Sequence, residues 1–202
     1  MLITGLKESS PGKYILQTDS GAEIITTLEV AADERLYVGM ELDEELFERI
    51  KTESAKYTAL KKSYELISLR MMSGKELKDK LMHKGYEEES ADFAVSRLYE
   101  LGILNDEEYA AAIVRHYSAK GYGAARIKAE LGRRGINREL LEEQLELMPS
   151  QDDKLDRFIS SRLKDPDDKD QQKKVAAALA RRGYSWDEIR SAMQRFTTTE
   201  EF

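Results

Sequence analysis

This chain predicts a mainly α-helical fold of three tandem three-helix repeats in an elongated arch, preceded by a small N-terminal β-hairpin segment. Three observations carry that prediction. One unit recurs around Gly85, Gly135 and Gly183, at spacings of 50 and 48 residues. Eight residues before each glycine stands Leu77, Ile127 or Val175, and four before it Leu81, Leu131 or Leu179. Ala91, Leu141 and Ile189 follow at six residues, Val95, Leu145 and Met193 at ten, and Leu98, Met148 and Phe196 at thirteen. A period of this length marks stacked helical units, none of which buries its apolar face alone. Second, no proline falls between Pro11 and Pro149, so helices run uninterrupted by the residue that most strongly breaks them. Third, β-branched and aromatic residues with turn chemistry gather only in residues 1–28.

Taken in order, Lys13–Thr18 and Ala22–Thr27 read as strands, joined by Asp19-Ser20-Gly21 as a hairpin turn. Leu2-Ile3-Thr4 adds a short third strand, and 29–42 a short helix with a turn at Gly39. Helices are then expected over 54–72, 74–84 and 88–101, over 106–119, 124–134 and 138–147, and over 152–163, 169–182 and 186–196. Their starts carry capping signals. Ser73–Glu76 and Ser185–Glu188 match a capping box, and Asn105 heads a third start, each satisfying backbone N–H groups that have no partner in the helix. Their ends carry Lys84-Gly85, Arg134-Gly135 and Arg182-Gly183. Glycine tolerates the left-handed residue past a helix end, and a cation favours the negative pole of the helix dipole. The division expected is an extension over 1–50, repeats over 51–103, 104–148 and 149–197, and a frayed tail over 198–202. Two polar joints, 148–151 and 164–168, predict that the third repeat moves most.

Composition narrows the function classes. The chain has 202 residues, no cysteine and a net charge of −7. Without cysteine there is no disulfide framework and no thiolate metal site. The opening MLITGLKESSPG has no long apolar run, and no stretch approaches the roughly 18 apolar residues of a bilayer span. A cytoplasmic protein is expected. The acidity is concentrated in residues 1–58, with 6 basic and 12 acidic side chains, while residues 59–150 hold 15 against 16. A general duplex-DNA binder normally shows a clear basic excess, which this repeat region lacks.

Several clusters invite a chemical reading, and each has a structural alternative. Lys120-Gly121-Tyr122-Gly123 suggests a nucleotide loop. It lacks the third glycine, a preceding strand and a lysine-serine pair, so a helix stop at Gly121 and a restart at Gly123 is the better reading. Arg133, Arg134, Arg181 and Arg182 are either solvated helix caps or part of a contact surface. In the contact reading, Lys120, Arg126, Lys128, Arg133 and Arg134 form a basic face, with Glu139, Glu142, Glu143 and Glu146 segregated to the next helix. Arginine suits phosphate and carboxylate alike through its planar fork. Arg70, Lys75, Lys78 and Lys84 form a second basic group and Arg115 ends another helix, again against a solvated alternative. His83 and His116 lie 33 residues apart with no ligand spacing, so no metal is expected, nor any cofactor or catalytic centre. Met71 and Met72 are expected to fill the core, and Tyr86 and Tyr184 to pack. Trp186 is either core or a partner anchor. The aspartates between 152 and 170 lack calcium-loop spacing and read as solvated linker.

The ordered set Arg70, Ser73, Glu76-Leu77, Lys84-Gly85-Tyr86, Leu101–Ala110 and Lys120–Ile136 resembles the bacterial recombination regulator family RecX. The likeness covers residues 55–147 closely and 151–196 in repeat pattern. It departs at Met72, where the family often has a basic residue, and in the β segment, which only some members carry. The resemblance implies a non-catalytic regulator in DNA repair, recombination and the SOS response, and a monomer is expected. Its partner would be the RecA recombinase filament, whose assembly, ATP hydrolysis and strand exchange it would inhibit. Some members also bind DNA, single- or double-stranded. Arg70, Lys75, Lys84, Arg115, Lys120, Arg126, Lys128, Arg133 and Arg134 are then the expected contacts. The alternative is a helix-turn-helix protein that binds DNA without RecA.

Overall fold

Three strands open the chain: β1 (Ile3–Ser10), β2 (Lys13–Thr18) and β3 (Glu23–Thr27), antiparallel and paired in the order β1-β2-β3. The computed structural model describes residues 1–197, so the tail expected over 198–202 lies outside the described residues. The β2–β3 hairpin follows the sequence, with Leu16 opposite Ile24 and Gly21 at φ +84° in the turn. β1 is longer than Leu2–Thr4 suggests. Its second half, Lys7–Ser10, is exposed and polar, and its pairing with β2 rests on backbone groups that leave no hydrophobic pattern.

Helix α1 (Leu28–Asp33) and the turn at Gly39 follow the sheet. Helix α2 (Glu44–Ile67) starts ten residues before the expected 54 and ends before 72. Its start is fixed by Asp43, whose side chain accepts from Leu46 N at 2.7 Å. One helix here serves two cores. Ile50 packs with Ile3, Leu16 and Ile24, and buried Ser54 donates to Thr26 Oγ1 at 2.8 Å. One turn and more onward, Ala59 and Leu66 pack with Leu77, Leu81 and Leu98. The helix stops because the chain turns outward: Leu69 is exposed, and Arg70 donates to the Met71 carbonyl and pairs with Glu76.

Helices α3 (Gly74–His83) and α4 (Glu88–Glu100) complete the first repeat. The second comprises α5 (Asp106–Ala119), α6 (Ala124–Arg133) and α7 (Arg138–Glu146), and the third α8 (Asp152–Arg162), α9 (Lys169–Arg181) and α10 (Trp186–Gln194). The repeated apolar positions are the core positions. Leu77, Ile127 and Val175, and Leu81, Leu131 and Leu179, are all buried, each in the cluster of its own repeat. The glycine slot has one solution throughout. Gly85, Gly135 and Gly183 stand at φ +89°, +76° and +92°, and the following amide reaches back to Leu81, Leu131 or Leu179 O at 3.1–3.3 Å. This Schellman-type closure satisfies carbonyls the helix leaves open. Both serine capping boxes form.

The helices divide into two compact units, 1–105 and 106–197, with the second and third repeats together in the second unit. The joint 164–168 is hydrogen-bonded rather than loose linker. Asp168 caps α9 through the amides of Asp170 and Gln171, and Gln172 donates to Pro166 O at 2.5 Å. Met72 is buried, whereas Met71 is half exposed, because the chain between α2 and α3 leaves the core at Leu69 and returns only at Met72. Tyr184 is buried and Tyr86 packs on the first-repeat core. Trp186 is 62% exposed, so it is not core.

Gly132 lies within α6 on its solvent side, and a Cβ there would meet nothing within 4 Å. Gly132→Ala is therefore expected to stabilise the protein by about 0.5–1 kcal/mol, by restricting the unfolded chain and favouring helix. A thermal melt should rise by about 1–4 °C for a chain of this size; a fall would show hidden strain.

Candidate functional site

The candidate contact residues fall into two classes once their partners are known. Arg70 pairs with Glu76 at 3.2 Å and Lys75 with Asp79 at 2.6 Å. Lys128 lies 3.9 Å from Glu142 of α7, which Arg138 also engages at 2.8 Å. Arg133 and Arg134 both bind Glu130. Among the described residues, Lys84, Arg115, Lys120 and Arg126 form no ion pair with an acidic side chain, and all four are exposed. These keep their full charge for a partner.

Glu130 is the feature the sequence did not disclose. Its carboxylate is buried on α6, accepting from Arg133 Nη2 at 2.8 Å and from Arg134 Nε at 2.8 Å. Burial alone would raise its pKa. The hydrogen bonds from Arg133, Arg134 and Tyr117, with the Arg134 charge, outweigh burial and hold it below the ordinary carboxylate value. Arg134 is largely buried and lies 5.7 Å over the Tyr109 ring, also donating to its hydroxyl. Burial works against its charge too, yet Glu130 and Tyr109 raise its pKa overall. Arg134 is thus an internal counter-ion of the second repeat, and of the two arginines only Arg133 stays largely solvated.

The basic face does not hold together as the sequence suggests. At about 100° per residue along a helix, Arg126 and Arg133 share a stripe of α6, while Lys128 stands about 160° from Arg126 and turns toward α7. The sequence also separated Glu142 from the cations, whereas here it lies among them. Lys120 and Arg126 flank the joint between α5 and α6. There Gly121 turns at φ +73° and Gly123 starts α6, so the glycine pair is a helix break, as its spacing indicates. Tyr122 of the joint lies 5.5 Å from Tyr117.

For Arg182 the sequence leaves a solvated cap and a contact surface open. Arg182 instead lies 4.7 Å over Phe158 and 5.7 Å over Tyr122, donating to Lys120 O and Gly121 O at 3.3 and 3.2 Å. No spacing rule could have found it, since its partners are two backbone carbonyls 61 and 62 residues away. In the first unit an open groove is lined by Lys13, Ile25, Phe47, Lys51, Tyr86 and Glu87. Its mixed charges favour no single ligand class.

Among the described residues, no helix is long and apolar enough to cross a membrane. Comparison with known proteins places the chain. Family models described as the first, second and third three-helix domains of RecX match residues 59–98, 105–145 and 160–193. Regulatory protein RecX of Xanthomonas axonopodis pv. citri (strain 306) is 36% identical over 138 residues, spanning 67% of this chain and 85% of that protein. Regulatory protein RecX of Stenotrophomonas maltophilia (strain R551-3) is 34% identical over 139 residues, with the same coverage. Among solved structures, a crystal structure of regulatory protein RecX superposes at TM-score 0.77 and 20% identity, covering 96% of this chain and 98% of that one. RecX from Lactobacillus salivarius superposes at 0.64 and 23% identity, covering 70% and 96%. At those identities the structures establish the fold, and the sequence matches establish the kinship. Three domain models in order and relatives aligned over most of their own length make this chain a member of the RecX family of regulatory proteins.

Proposed function

We propose that this chain is a non-catalytic, monomeric regulator that binds the RecA recombinase filament and inhibits its assembly, ATP hydrolysis and strand exchange. The observation that carries the reading is the set of exposed cations without an acidic partner, Lys84, Arg115, Lys120 and Arg126, on repeats whose other candidate cations are ion-paired. Free cations interspersed with ion-paired ones, on repeats with no net basic excess, suit a partner of mixed charge better than a bare polyanion, which rewards such an excess. Binding is therefore expected to weaken with salt, as exposed charge contacts are screened.

The test is a variant carrying Arg115→Glu, Lys120→Glu and Arg126→Glu. Arg134 is left intact because its removal would strip a buried carboxylate of its partner. The concentration giving half-inhibition of filament-dependent ATP hydrolysis should rise by at least about tenfold, the size expected when several rim charges reverse. The thermal melt should stay unchanged. Full inhibition by that variant would remove the second repeat from the contact. A parallel titration against bare duplex, bare single strand and RecA-coated strand should favour the coated strand; preference for bare DNA would favour the helix-turn-helix alternative.

A further inference from the structure

Helix α6 has no cap of its own. The matching helices of the other repeats do: α3 starts at the Ser73 capping box, and α9 at Asp168, whose carboxylate accepts two amides. Gly123 stands at that position in α6 and offers no side chain. The acceptors come from the third repeat. Gly123 N donates to Arg182 O and Ala125 N to Gly183 O, each at 3.0 Å. These are helix-start amides that otherwise lack a partner.

The neighbouring end of α5 is closed from the same side. Lys154 Nζ of α8 donates to Ser118 O at 2.6 Å, and Arg182 Nη1 donates to Lys120 O and Gly121 O. Cations on the last carbonyls of a helix satisfy acceptors and favour its dipole. Arg182 is held for this by the Phe158 and Tyr122 rings. The fit leaves no room. A Cβ on Gly123 would press into Gly183 O, and a Cβ on Gly183 into the Arg126 backbone, whereas a Cβ on Gly85, in the first repeat's equivalent slot, would meet nothing within 4 Å.

We propose that the third repeat acts as an intramolecular cap on the second. Arg182 is the positioning residue, and the joint that presents Lys120 and Arg126 is ordered only while the third repeat is seated on it. The device is conformational: unseating the third repeat frees both helix ends of the joint together. Its consequence for partner binding rests on the function proposed above, but the cap itself does not.

Hydrogen exchange on the full-length chain tests it. In the wild type the amides of Gly123 and Ala125 should be protected. Arg182→Ala leaves the accepting carbonyls in place but removes the group that seats them. It should speed exchange at both amides by at least about tenfold, the scale expected for losing hydrogen bonds to one side chain. Amides within α3 should exchange unchanged. Arg182→Lys, which keeps the charge without the stacked plane, should fall between, and it carries the test if the alanine variant folds poorly. Equal exchange at Gly123 and Ala125 in wild type and both variants would overturn the cap. In the ATP-hydrolysis assay Arg182→Ala should weaken inhibition. Deprotection with inhibition intact would overturn the link to binding. A wild type that does not inhibit would overturn the proposed function and leave the exchange result standing.

Discussion

Gly183→Ala is expected to cost about 2–5 kcal/mol, while Gly85→Ala, in the same slot of the first repeat, costs about 1–2. Both glycines hold left-handed backbone, at φ +92° and +89°, and an alanine in that conformation costs about 1–2 kcal/mol. The two sites differ in what surrounds them. Gly85 faces open space, and Gly183 faces the Arg126 backbone, which cannot swing aside as a side chain tip would. Overpacking against fixed atoms adds about 1–3 kcal/mol. Urea unfolding of the two variants isolates that second contribution. Equal losses would mean that the second and third repeats do not meet as closely as Gly123 and Gly183 do here. The Gly183 variant should also deprotect Gly123 and Ala125, and the Gly85 variant should not.

Glu130→Ala is expected to lose about 2–3 kcal/mol. Removing one partner of a buried ion pair strands the other, at about 3–5 kcal/mol for full burial. The expectation is lower because Arg133 is 72% exposed and Arg134 20%, so both recover some hydration. The pH dependence has a definite sign. The Glu130 pKa is depressed in the folded protein, so its contribution is complete above the ordinary carboxylate value and disappears as pH falls through the depressed one. The stability gap between wild type and Glu130→Gln should hold near neutrality and shrink below about pH 4.3, the unperturbed glutamate value. A gap that persists unchanged into acid would show that the carboxylate charge is not what holds Arg134.

Glu130 also shows where reading by repetition stops. The equivalent positions, five residues before the glycines, hold Lys80 and Ala178, and nothing in that trio announces a buried anion. The apolar positions behave otherwise. Leu77, Ile127 and Val175 are buried as the period demands, because a short amphipathic helix has one way to hide its stripe. The helix boundaries followed the caps to within a residue or two from α3 onward. They failed at α2, where the helix is extended by packing on a sheet whose residues lie far back in the chain. The contact residues were legible as types and positions. Which of them kept its charge free depended on neighbours from other helices, as Lys128 beside Glu142 illustrates.

By itself the sequence determined the number of repeats, the glycine-closed helix ends, the core stripe and the family. All of these follow from local backbone preference and a period that one strand of text records in full. Tertiary structure alone decided that Arg134 is a counter-ion, that Arg182 belongs to the second repeat as much as to the third, and that Gly123 needs no cap of its own. Hydrogen bonds and ion pairs depend on distances of about 3 Å between groups, and the separation of those groups along the chain carries no record of such distances.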